Sequence, residues 1–191
     1  MENKQNENLE MHPKEKNFFR ETCNALLGIE RPNIPERVQN FAKDKGLKEK
    51  PEFHISVLAS KNGKKIMDKI KGLANAEEIK DEIENKFKNT NWSYLPVDRF
   101  YFLEKEYSLE DLEKSGYVDV PPHSRFTIVE EFRLSEIEPF FAWLKEKLDI
   151  DFDVPSIHVT LYSGAGYEPL ADRGIGIYSE KDLQDYMKQE I

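Results

Sequence analysis

Two short segments of the chain carry the same residue types in the same order. Residues 51–58 read Pro-Glu-Phe-His-Ile-Ser-Val-Leu, and residues 155–162 read Pro-Ser-Ile-His-Val-Thr-Leu-Tyr. Aligned on His54 and His158, each has a proline three residues earlier, an apolar residue on either side of the histidine and a hydroxyl two positions later. An imidazole titrates near neutral pH, so it can both take and give a proton. Two imidazoles on opposite sides of a phosphorus centre meet the needs of phosphodiester chemistry. One deprotonates the incoming hydroxyl or water, and the other protonates the departing oxygen. Ser56 and Thr160 are then candidate donors to the non-bridging phosphate oxygens, where charge builds in the transition state. The scheme requires no metal and no other cofactor, and the further ligands a metal would need are not at helpful spacing. A lone His-x-Ser means little; the matched pair, in a chain with only four histidines, carries the functional reading.

The elements that must hold these residues are strands. Side chains alternate across a strand, so Phe53, Ile55 and Val57 share one face while His54 and Ser56 share the other. In the second copy Ile157, Val159 and Leu161 share a face, and His158, Thr160 and Tyr162 share the opposite one. The apolar faces require a helix-covered core and the polar faces require water or a ligand. A slip of one residue would bury the histidines and expose the Ile and Val side chains, so the pattern specifies the register.

Around them, residues 1–16 are polar and read as a mobile tail that includes His12, with a single domain over 17–191. Residues 17–27 are expected to be helical, with Phe18, Phe19, Leu26 and Leu27 near one face and Gly28 as the stop. A helix is expected from Pro35 to Lys45, then the first motif strand at about 52–60, broken by Asn62-Gly63. A helical stretch follows to about 89, interrupted near Gly72, and then strands over 92–107. Ser108 and Asp111 mark a capped short helix ending at Gly116, and residues 124–134 a strand. Ser135 with Glu138 resembles a capping box for a helix to about 148, and the second motif strand falls at about 156–163. Residues 164–178 are glycine-rich and loop-like, with a short strand possible at 175–178, and Ser179 caps a final helix. The class is α+β with antiparallel sheets.

Composition narrows the partners. The chain has 191 residues, 38% hydrophobic, with a formal net charge of −9. That charge argues against a broad basic groove on long double-stranded nucleic acid, but not against a nucleotide or a short RNA end. The single Cys23 rules out an internal disulfide and a cysteine-based zinc cluster. No apolar run has the length of a membrane span and no signal-peptide core is present, so a cytoplasmic location is the default expectation.

At His54-Ile55-Ser56 and His158-Val159-Thr160, whose histidines lie 104 residues apart, the chain resembles the two-histidine phosphoesterase superfamily. The likeness covers the two motifs and the order of elements from about 36 to 178. It implies a bilobal fold: two antiparallel sheets with outer helices, related by a pseudo-twofold axis around a central cleft that holds both motifs. It also implies action on 2′,3′-cyclic phosphates, short 2′-5′ or 3′-5′ linked oligonucleotides or RNA 3′ ends, or RNA ligation in the reverse sense. Carried over, His54 and His158 are the acid–base pair and Ser56 and Thr160 the phosphate-orienting hydroxyls. The segment between the motifs is rather long, so the loops around 108–123 are expected to be an addition that shapes the cleft.

Secondary candidates surround this pair. Tyr162 is placed to stack on a base or bond a phosphate, and capping the sheet edge explains it equally well. Arg99, Arg125 and Arg173 are the cations best placed to help hold phosphate, against the simpler account of a surface ion pair for each. His123 follows two prolines and reads as an exposed loop residue. Two other readings compete with the enzyme: a nucleotide-binding module without turnover on the same fold, and an acidic interaction scaffold in which both motifs are ordinary sheet residues.

Overall fold

The computed structural model describes residues 10–191. It is a mixed α+β structure built on one eight-stranded antiparallel sheet. In chain order the elements are β1 (Glu15–Phe19), β2 (Asn24–Gly28), α1 (Glu36–Asp44), β3 (Lys48–Glu49), β4 (His54–Leu58), α2 (Ser60–Ile70), α3 (Ala76–Asn89) and β5 (Tyr94–Tyr107). There follow α4 (Leu109–Lys114), β6 (His123–Leu134), α5 (Ile137–Leu148), β7 (His158–Ala165), a single 3-10 turn at Glu168–Leu170, α6 (Glu180–Tyr186) and β8 (Met187–Glu190). The sheet order is β1-β2-β4-β7-β6-β5-β8, with β3 also pairing to β7. Strand pairing is therefore continuous across the molecule rather than split into two sheets, and β4 meets β7 at one residue pair, Ile55 with Val159.

The larger core lies where alternation places it. Ile55, Val57, Val159 and Leu161 are fully buried, and α1, α2, α3 and α5 supply Val38, Ile66, Ile83 and Leu144 against them. At about 25 cal/mol per Å² of apolar area, this burial is the main force holding helices to sheet. A smaller cluster covers the opposite face over β5 and β6: Leu103 and Val129 pack with Ile175, Ile177 and Leu183. The segment 171–178 has no strand of its own; it is pinned to the sheet by the Ile175 amide, which donates to Thr127 Oγ1 at 3.1 Å. No described helix is long and apolar enough to cross a membrane.

Three local expectations are corrected. Residues 17–27 form a β-hairpin, not a helix: Phe19 pairs with Asn24 and Phe18 with Ala25, with Cys23 in the left-handed region at φ 51°. Asn62-Gly63 does not break the chain but lies inside α2. A Cβ at Gly63 would sit 2.3 Å from the Thr22 carbonyl oxygen, so glycine lets the helix approach that hairpin turn. The neighbouring Asn62 Nδ2 donates to the Asp153 carbonyl at 3.0 Å, tying α2 to the approach of the second motif. Ser135 does not cap α5; its Oγ accepts from the Ser93 amide at 2.7 Å, and Glu136, at φ 60°, precedes the helix instead.

Of the segment 1–16, residues 1–9 lie outside the described residues. From residue 10 the chain runs along the sheet: Met11 bridges to Tyr94, and the His12 ring Nδ1 lies 3.0 Å from the Trp92 carbonyl oxygen. The Ser108–Asp111 capping box is present as expected, and Ser179 Oγ accepts from the Asp182 amide at the start of α6.

Candidate active site

His54 begins β4 and His158 begins β7, two strands that are neighbours in the sheet. With Ile55 and Val159 directed into the core, the residues before and after them take the other face. His54, Ser56, His158 and Thr160 accordingly line one cavity of about 750 Å³. That volume lies in the range of small-molecule sites. Its walls come from distant parts of the chain: Phe19 and Asn24 of the hairpin, Lys50 and Glu52 before the first motif, Ser115 and Tyr117 after α4, and Arg173–Tyr178. Two polar contacts tie these walls together. Ser60 Oγ donates to Tyr178 Oη at 3.2 Å, and Lys50 Nζ donates to the Asp172 carbonyl at 2.7 Å.

The His158 ring has a defined orientation. Its Nδ1 lies 2.8 Å from the Ser156 carbonyl oxygen, which can only accept, so the neutral ring carries its proton on Nδ1 and leaves the Nε2 lone pair free. Burial pushes His158 below its ordinary value of 6.5; the bond to Ser156 opposes that, and the charge of His54 adds to the lowering. Burial also lowers His54, reinforced by the Lys50 charge and opposed by Glu52. Both rings are therefore biased toward the neutral, proton-accepting form near neutral pH.

The cavity is locally positive although the chain is acidic. Lys50, Lys105, Arg125 and Arg173 line it against two carboxylates, Glu52 and Asp172. A nearby cavity of about 740 Å³ also touches His54, but its guanidinium, Arg31, is committed to Glu49 at 2.7 Å and it contains neither His158 nor a motif hydroxyl. Among the described residues, no group of three or more His, Cys, Asp or Glu side chains is placed to hold a metal ion.

The secondary candidates separate. Arg125 and Arg173 reach the cavity, the first buried and the second exposed. Arg99 lies outside it, 3.6 Å from Glu131. Tyr162 is corrected: it is buried in the larger core, with its hydroxyl 3.5 Å from Glu49 Oε2. The cause is a bulge. Val129 pairs with Thr160 but Ile128 pairs with Tyr162, so Leu161 is an extra residue and the alternation reverses after it. His123 is corrected too: it opens β6, and its Nε2 accepts from Arg125 Nε at 3.2 Å. Sequence reasoning missed Lys105, Tyr107, Tyr117 and Tyr178, which come from β5, the loop after α4 and the segment before α6 and share no spacing with the motifs. The expected role of 108–123 as a wall of the cleft agrees with Ser115 and Tyr117 in the lining.

No family model, curated protein or solved structure matches the chain.

Proposed function

We propose that this chain is a metal-independent phosphodiesterase. Its substrate would be a nucleotide or RNA-end phosphodiester, either a 2′,3′-cyclic phosphate or a short 2′-5′ or 3′-5′ oligonucleotide. The observation that carries the reading is the convergence of two imidazoles and two hydroxyls, 104 residues apart in sequence, on one cavity. His158 is the base, because its Nδ1–H is held by the Ser156 carbonyl and its Nε2 is left to accept a proton. His54, in its protonated form, gives a proton to the leaving oxygen. Ser56 and Thr160 donate to the non-bridging oxygens, and the surplus of cations in the lining favours an anionic substrate.

We also propose that the two halves are related by a pseudo-twofold axis, as in the bilobal arrangement of the two-histidine phosphoesterases. The support is a repeated order. Hairpin, helix and motif strand follow one another as β1-β2-α1-β4 in the first half and as β5-β6-α5-β7 in the second, with β3 inserted before β4 and α4 between β5 and β6. Each motif strand pairs antiparallel with the second strand of its own hairpin, and the two motif strands pair with each other through equivalent residues, Ile55 and Val159. An antiparallel pair of equivalent strands in equivalent register is what a local twofold axis generates.

Turnover of nucleoside 2′,3′-cyclic phosphates and short oligonucleotides with a chelator present tests the function. Tight nucleotide binding without turnover would favour the binding-module reading, and absence of both would leave the scaffold reading.

A further inference from the structure

Away from the histidines, one end of the cavity holds a buried cation with no anion. Arg125 is 5% exposed, its Nη2 is buried without a hydrogen-bond partner, and its Nε donates to the His123 ring. Its guanidinium lies over two rings, 4.4 Å from the centre of Tyr107 and 5.3 Å from that of Tyr117. Lys105, directly opposite on β5, bonds to Tyr186 Oη at 2.9 Å and sits 4.9 Å from the same Tyr107 ring. Neither cation makes an ion pair among the described residues. A buried guanidinium is ordinarily matched by a carboxylate, and an orphaned buried N–H is costly. Here rings hold the charge in place at the wall of the cavity and leave it without an anion, and a phosphate is the group that would match it.

This end is separate from the reaction centre. Val129 pairs with Thr160, and Arg125 lies four residues further along β6 on the same face. At about 3.3 Å per residue, that places the Arg125 backbone about 13 Å from the level of the motif hydroxyl. The guanidinium turns further from the motifs, toward His123 and the Tyr107 paired with it, so a phosphate held there is not the one between the imidazoles.

We propose that Arg125 and Lys105 form a second anion subsite, which holds a phosphate of the substrate other than the one cleaved, at least one nucleotide away. Tyr107 and Tyr117 hold the guanidinium, and His123 fixes its direction. Resting on the phosphodiesterase reading, this deepens it: the preferred substrate is a short oligonucleotide end with several phosphates, not a lone mononucleotide.

The test is an affinity ladder on the intact chain by calorimetry, with a chelator present. The ligands are adenosine 5′-monophosphate and the 5′-phosphorylated di- and triadenylates, 2′-O-methylated to block attack by the 2′-hydroxyl. One step of the ladder should raise affinity at least tenfold and steepen the salt dependence by about 0.7 in log–log slope per added phosphate engaged. That gain should disappear in Arg125→Gln and in Lys105→Gln, the second being the less buried position should the first not fold. Even affinity along the ladder, or a gain that survives in a folded variant of either kind, overturns the subsite. The ladder reads binding alone, so a gain in a chain that cleaves nothing retains the subsite and removes the phosphodiesterase reading. No binding of any ligand removes both.

Discussion

Ile55 and Val159 pair across the centre of the sheet, and each directly follows a histidine that lines the cavity. Both are fully buried. The spacing of the imidazoles is therefore set by a fully buried strand pair rather than by loops, which suits the proposed site, whose two proton-transfer groups must be held in place.

That relationship predicts an unequal response to core damage. Ile55→Ala should cost about 2–4 kcal/mol, as Leu148→Ala should at the far side of the core on α5. At equal fractions folded, Ile55→Ala should lower kcat well below the Leu148→Ala value, because only it loosens the seam under the histidines. Thermal melts paired with single-temperature kinetics check this; equal kcat in the two would show that the seam does not position the rings.

The imidazoles predict a pH profile. Both are held below the ordinary 6.5, so the acid limb of activity, where the base becomes protonated, should fall below that value. Lys50→Ala removes a lowering charge and should move the His54 limb upward. For stability the sign is the depressed one: the contribution is present above 6.5 and is lost as pH falls through the lower folded values. His158→Ala should flatten that loss in melts between pH 7 and pH 5.

Glu130 predicts the opposite trend. It pairs with Val159, where the first half has Leu27 opposite Ile55. It is 2% exposed with Oε2 unpartnered, and burial, with Asp98 adding, pushes its carboxyl up to about 8. A raised acid contributes stability below its ordinary 4.5 that is lost as pH rises through about 8. Glu130→Leu should gain about 1–3 kcal/mol at alkaline pH and little at acid pH. Melts at pH 5 and pH 9 read this directly, and an equal gain at both would exclude ionisation as the cause.

Tyr162 predicts silence. With its ring in the core and its hydroxyl on Glu49, Tyr162→Phe should leave kcat and KM within about twofold and stability within about 1 kcal/mol. A tenfold rise in KM would return it to the site.

Much of this was legible in the chain because strand period and chemistry agree at the motifs. Ile55 and Val159 are apolar, the histidines and hydroxyls are not, and only one register satisfies both. The short helix after Ser108 was equally legible, because its cap is local. The hairpin was not. Phe18, Phe19, Leu26 and Leu27 fit a helical stripe as well as two strands, and the turn at Cys23 lacks the Asn-Gly signal that marks a tight hairpin. The bulge that turns Tyr162 inward leaves no mark in sequence, since Leu161 and Tyr162 both suit a strand. The corner around Arg125 was invisible for another reason: Lys105, Tyr107 and Tyr117 meet it only through pairing of β5 with β6 and the loop after α4.

The paired-histidine claim is tested most directly by cleavage of nucleoside 2′,3′-cyclic phosphates in excess chelator by the intact chain, His54→Ala and His158→Ala. The account predicts turnover by the intact chain and a loss of about 10²–10⁴-fold in each variant, with melting curves showing both folded. Absence of cleavage of these and of short 2′-5′ and 3′-5′ oligonucleotides by the intact chain, or undiminished cleavage by either variant, would contradict it.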